Sequence, residues 1–100
     1  MIVVNVIIDS TERDIAALKQ AIAAIEAASR AESGCEDYTF SVELNDSTRL
    51  RITERWRDVQ ALKDHFGTEH MATFNAAIAS HPPRSLVVKC YEAREIPLPR

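Results

Sequence analysis

From Asp37 to Asn45, Tyr38, Phe40, Val42 and Leu44 alternate with Thr39, Ser41 and Glu43. After the polar run Asn45-Asp46-Ser47-Thr48, Leu50, Ile52, Glu54 and Trp56 alternate with Arg49, Arg51, Thr53 and Arg55. Two runs of period two joined by turn-forming residues predict a β-hairpin with one apolar face. Slipping the pairing by one residue would set apolar side chains against polar ones, which leaves two registers, Tyr38 opposite Trp56 or opposite Glu54. Either register gathers Tyr38, Phe40, Glu54 and Trp56 at one end of one face, and this mixed aromatic and polar patch is a candidate pocket floor. The other face is charged, with Glu43 in reach of Arg49 or Arg51. It suits solvent or a polar dimer interface.

The remaining elements must cover that apolar face. Met1 to Asp9 is apolar on both alternating sets, the pattern of a central strand covered on both sides, with Asn5 as the odd polar residue. A buried Asn5 would have to line a polar pocket or bond neighbouring backbone. Ser10 and Thr11 offer an N-cap, and Ile15, Leu18, Ile22 and Ile25 form one stripe of an alanine-rich helix that runs to about Ala31. Gly34, in Glu32-Ser33-Gly34-Cys35, is placed to take the left-handed conformation that ends helices and makes tight turns. After the hairpin, Asp58 caps a short helix carrying Val59, Leu62 and Phe66 inward, closed by Gly67. Thr68 caps another carrying Met71, Phe74 and Ile78 inward. His65 and His70 fall at the edges of these two stripes. His70 lies in a first turn, where the helix dipole opposes a second positive charge. His81-Pro82-Pro83-Arg84 is a loop, Ser85 to Glu92 a last strand, and Ile96-Pro97-Leu98-Pro99 an apolar tail that packs on its own subunit or a neighbour. The order predicts a ferredoxin-like α+β sandwich, βαββαβ, with a split second helix and a single domain over residues 1–100.

Size and charge narrow the partners. One hundred residues build a small core, so a second subunit covering one face would add stability, and a homo-oligomer is expected. The net charge of −3, with basic residues spread along the chain, gives no footprint for nucleic acid or anionic lipid. Ile2 to Ile8 has no basic leader and is too short to span a bilayer, so a cytoplasmic protein with no membrane partner is expected. Cys35 and Cys90 form no CxxC pattern and read as reduced structural thiols.

No glycine-rich phosphate loop, HExxH or nucleophile elbow is present, so nucleotide hydrolysis, zinc proteolysis and the common serine hydrolase scheme have no support. His65 and His70 show no third ligand by spacing, and no metal is expected. What the residues do suit is a flat organic molecule: Trp56, Tyr38 and Phe40 give aromatic surface, and Asn5, His65 and Glu54 give directed polar contacts. The structural alternative makes the aromatics core and the imidazoles surface.

Glu32-Ser33-Gly34-Cys35 followed by Tyr38 and Phe40, then Glu54-Arg55-Trp56, Ala61-Leu62, His65, Thr68 and His70, resembles the antibiotic biosynthesis monooxygenase domain over most of the chain. The resemblance implies a dimeric α+β barrel, with the sheets of two subunits packed together and a pocket between sheet and helices. It implies a cofactor-independent monooxygenase acting with molecular oxygen on a small aromatic quinol or phenol, an electron-rich substrate that reduces oxygen itself once deprotonated. The family also contains haem-degrading enzymes and an isomerase of a small signalling sugar derivative. Asn5, Trp56 and His65 resemble the strand asparagine, the tryptophan and the helix histidine of the family's pockets and are the expected catalytic residues. Tyr38, Phe40, Glu54 and His70 are expected to bind substrate. Met71, where an aromatic often follows the second histidine, and the charged hairpin face depart from the family pattern. A non-catalytic dimer binding a small ligand, and a haem-degrading monooxygenase with His65 on the iron, are the alternatives.

Overall fold

The computed structural model describes residues 1–100 as β1 (Ile2–Asp9), α1 (Glu12–Arg30), β2 (Cys35–Glu43), β3 (Asp46–Trp56), α2 (Val59–Phe66), α3 (Glu69–Ser80) and β4 (Ser85–Glu92). The four strands form one sheet in the order β2-β3-β1-β4, every neighbouring pair antiparallel. Two split βαβ units interleave, which is the ferredoxin-like α+β sandwich with its second helix divided in two. No helix is long and apolar enough to cross a membrane.

The hairpin takes the register with Tyr38 opposite Glu54. Its turn is tighter than the composition suggests, because Asp46 and Thr48 already belong to β3 and only Leu44 and Asn45 turn the chain. A register shift between Val42 and Glu43 absorbs the mismatch. Ile2, Val4, Val6 and Ile8 of β1, Tyr38 of β2, and Leu50, Ile52 and Trp56 of β3 project to the helix side. There they form the core with Ile25, Ala61, Leu62 and Phe74.

The opposite face of the sheet carries no helix, so β1 is covered on one side only. β4 is exposed along its whole length. Alternation correctly marked it as a strand, but nothing within the chain covers Leu86, Val88 or Tyr91. The outer edge of β2 is treated differently. Glu26 accepts a hydrogen bond from the Phe40 amide at 2.8 Å, and Arg30 donates to the Tyr38 carbonyl at 2.9 Å. Both groups lie on the last turns of α1, so helix side chains satisfy backbone groups that an edge strand would otherwise offer to another chain.

The helix caps follow the sequence: Thr11, Asp58 and Thr68 each accept a hydrogen bond from an amide of the helix that follows. The facing of α2 does not. Val59 and Phe66, expected inward, are 53% and 61% exposed, and the buried stripe is Ala61, Leu62 and His65. Gly34 supplies the reason. It has no positive φ, so left-handed geometry is not its role. A Cβ built on it would lie 2.3 Å from the Ala61 Cβ, and its carbonyl accepts from the Arg57 amide at 2.8 Å. The loop after α1 therefore seats directly on the Ala61 side of α2. A helix held by that side turns His65 inward and Phe66 out.

Gly34→Ala should destabilise the fold by about 1–3 kcal/mol through overpacking against Ala61. Gly67→Ala should stay within about 0.5 kcal/mol, because its added Cβ would meet only the Asp64 carbonyl oxygen, at 3.6 Å. Denaturant unfolding of the two variants measures the contrast, and equal losses would rule out the Gly34 contact as the determinant.

Candidate functional site

Three tight connections converge on one point. Just beyond α1, the Glu32 amide donates to the Ser29 carbonyl and the Glu32 carbonyl accepts from the Cys35 amide, both at 3.0 Å, which fixes the backbone that carries the Glu32 side chain. At the corner between α2 and α3, the Thr68 hydroxyl donates to the His65 carbonyl at 2.7 Å and accepts from the Met71 amide at 3.2 Å. That corner places His65 in the last turn of α2 and His70 in the first turn of α3. The two rings meet the same carboxylate oxygen. Glu32 Oε2 lies 2.7 Å from His65 Nδ1 and 2.8 Å from His70 Nε2.

An ionised carboxylate can only accept, so both of these nitrogens carry protons. In the neutral rings this leaves His65 Nε2 and His70 Nδ1 as the basic atoms. His65 is packed on all sides, with ring centroids 4.6 Å from Trp56, 5.3 Å from Tyr38, 5.7 Å from Phe66 and 5.9 Å from His70. Beneath it, Glu54 accepts the Trp56 indole N–H at 3.0 Å. Burial holds Glu54 above the usual carboxylate range. The Trp56 hydrogen bond and the nearby His65 oppose that shift, and the negative charge of Glu32 adds to it. Burial, and after it the charge of Glu54, raises the Tyr38 phenol far above its ordinary value. Burial and Glu32 raise the Cys35 thiol.

Tyr38, Phe40, Glu54 and Trp56 do share one face, but all except the half-buried Phe40 are covered. Trp56 is 0% and His65 1% exposed, so the patch expected as a pocket floor is a filled core. Asn5 stands on the other side of the sheet. It pairs with Thr53 and Lys89 and lines a shallow depression of about 290 Å³ with Arg51 and Tyr91 on the open face. No cavity is bordered jointly by Asn5, Trp56 and His65. The correction follows from strand alternation: Ile2, Val4, Val6 and Ile8 take the helix side, which sends Asn5 away from it.

The open space lies elsewhere. A groove of about 410 Å³ runs between α1 and α3, floored by Ala21, Ala24 and Ala28 and walled by Phe74, Ala77 and His70. The small α1 side chains keep it open. Phe74 packs edge to face on Phe40, ring centroids 5.5 Å apart, and Phe40 borders a second groove of about 420 Å³ between α1 and the hairpin. His70 thus joins the buried cluster to the surface: its side chain is partly exposed to the first groove while its Nε2 is held by Glu32. Glu32 is the residue that site reasoning from sequence left out. The Glu32-Ser33-Gly34-Cys35 run was its visible signal.

Comparison with known proteins places this geometry. The family model for the antibiotic biosynthesis monooxygenase domain matches residues 1–77, from β1 into α3. No curated protein matches the chain. Among solved structures, a candidate antibiotic biosynthesis monooxygenase from Deinococcus radiodurans superposes with a TM-score of 0.89 at 25% identity, covering 100% of this chain and 99% of its own. A Pseudomonas aeruginosa protein superposes with a TM-score of 0.82 at 26% identity, over 94% of each chain. A candidate antibiotic biosynthesis monooxygenase from Nitrosomonas europaea, 20% identical with a TM-score of 0.86 over 93% of this chain and 98% of its own, shares the fold. With its family match extending over both histidines and Glu32, the chain belongs to the antibiotic biosynthesis monooxygenase family.

Proposed function

We propose that this protein is a cytoplasmic, homodimeric monooxygenase that oxidises a small quinol or phenolic compound with molecular oxygen and no bound cofactor, using the groove between α1 and α3. The observation that carries this reading is His70, which borders an apolar groove while its far nitrogen rests on a carboxylate shared with a second imidazole. A phenolic hydroxyl in the groove would give its proton to His70 Nδ1. The resulting imidazolium would face Glu32, which offsets the opposing dipole of the α3 N-terminus. The electron-rich anion then reduces oxygen, one oxygen atom entering the product and the other leaving as water, with the electrons drawn from the substrate. Apolar walls of Phe74 and the α1 alanines would shield the protein-facing side of the intermediate. Trp56, Tyr38 and Glu54 act behind this face as the packing that fixes His65, and Phe40 supports Phe74.

Homodimer formation is supported by the exposed β4 strand, by Val3 and Ile7 on the helix-free face, and by the tail, where Leu98 is 71% exposed. A partner's sheet would cover these groups.

A second reading has its own observation. Because Trp56 and His65 are sealed, the protein can equally be a dimeric module that binds a small apolar ligand in the groove without turning it over. The same burial leaves no room beside His65 for the haem macrocycle, which speaks against the haem-degrading alternative.

Oxygen uptake with a panel of quinols and anthrone-like phenols separates the first two readings. Turnover should stop without oxygen and fall about 10²–10⁴-fold in His70→Ala, with the fold intact. His81→Ala, whose ring contacts Asp14 instead, should keep full rate. Saturable binding with uptake never above the buffer rate would leave the binding module standing, and a monomer by sedimentation would remove the dimer.

The Glu54 shift gives a pH prediction. Its folded pKa is raised, so the stability it contributes is fully present below the ordinary value of 4.5 and is lost as pH rises through the folded value. Glu54→Gln keeps an acceptor for Trp56 and carries no charge. Its melting temperature should exceed the parent's at pH 7–8, with the gap closing towards pH 4. A gap independent of pH would show that ionisation of Glu54 is not the cause.

A further inference from the structure

We propose that Glu32, His65 and His70 form a binding site for one divalent transition-metal ion of the zinc class. Glu32 Oε2, His65 Nδ1 and His70 Nε2 all lie within 4.8 Å of one another, although they come from three different segments of the chain. Two imidazole nitrogens and one carboxylate oxygen are donors that zinc, cobalt and nickel accept, and three protein ligands leave a fourth position open. The proposal is independent of the oxygenase reading.

Distance and charge both favour an ion at this point. Ligand atoms around a tetrahedral zinc ion with bonds of roughly 2.0–2.2 Å stand roughly 3.3 Å apart. The nitrogens now sit 2.7 and 2.8 Å from the shared oxygen and within 4.8 Å of each other, so replacing the two bridging protons by one ion asks the Glu32 carboxylate to draw back by about half an ångström and the His70 ring to swing towards His65. His70 has that freedom, since its side chain is 26% exposed at the start of a helix. His65 supplies the rigid partner, its ring fixed against Trp56 and Tyr38 and its carbonyl bound by Thr68.

The cluster is also short of positive charge. Glu32 and Glu54 face His65 together, and neither forms an ion pair with a lysine or arginine: Glu32 bonds only the two imidazoles, and Glu54 only the Trp56 indole. Carboxylates removed from water call for compensation by a cation. A divalent ion provides it, entering from the groove beside His70, with solvent from that groove in the fourth position. Because the ion would take the nitrogen and oxygen atoms that otherwise share protons, the ion-bound protein would be unable to pass a proton from His70 to Glu32.

Titration of the chelator-stripped full-length chain with zinc chloride, followed by calorimetry, tests the site without any substrate. One ion per chain is expected, and cobalt(II) should give the visible absorption of a four-coordinate nitrogen and oxygen site. His70→Ala and Glu32→Gln, each checked for native circular dichroism, should bind at least about tenfold more weakly. Cys90→Ser and His81→Ala should bind as the parent does. The His65 and His70 ring resonances should both shift on zinc addition, which gives a readout on the unmutated protein if a variant fails to fold. No saturable binding up to millimolar zinc, a thiolate-to-cobalt band, unmoved His65 resonances, or unchanged affinity in a folded His70→Ala would each overturn the proposal.

Discussion

The contact between Gly34 and Ala61 governs more of this structure than its size suggests. Only a residue without a Cβ lets the loop after α1 reach α2 there. Once that side of α2 is seated, helical geometry alone decides that His65 turns inward, four residues further on, and that Phe66 faces out. The same loop carries Glu32, so one close approach brings the carboxylate and the first imidazole together. The second follows because Gly67 and Thr68 start α3 at once, with no slack between the helices. The order of causes runs from a missing side chain to a helix facing, and from there to the hydrogen bonds of a polar cluster inside an apolar core.

Much of the architecture was legible in the sequence because periodicity and capping are local. Each of the three helices starts where Thr11, Asp58 or Thr68 predicts, and the alternation of Tyr38, Phe40, Ile52, Glu54 and Trp56 placed all five on one face. The family followed from Tyr38, Phe40, Glu54 and Trp56 together with the Glu32-Ser33-Gly34-Cys35 run, Ala61-Leu62, His65, Thr68 and His70. Tertiary effects were hidden. A helical wheel puts Phe66 inward on hydrophobicity, and only packing against Gly34 reverses it. Whether Trp56 floors a pocket or fills a core depends on how far α2 descends onto the sheet, which no spacing encodes. Asn5 shows a different limit. In a strand apolar on both sets, alternation fixes that Asn5 and Val4 face opposite ways but not which of them meets the helices. Glu32 and His65 are 33 residues apart in sequence, beyond the reach of any local motif.

The sheet shows an asymmetry that bears on assembly. At the β2 edge, Glu26 and Arg30 occupy backbone groups that another strand could use. At the other side, β4 and the helix-free face are left bare. Association along the β2 edge is therefore disfavoured, and association through the open face is left available. This division does not depend on which chemistry the groove performs.

Packing the single tryptophan against the imidazole of His65 has an optical consequence. Trp56 is sealed from water, so its emission responds to its neighbours rather than to solvent, and the closest ring is the His65 imidazole held by Glu32. The fold thereby contains its own probe: the emission of Trp56 reports any rearrangement of the ring packed on it, through a wall of side chains that no ligand in the groove has to cross.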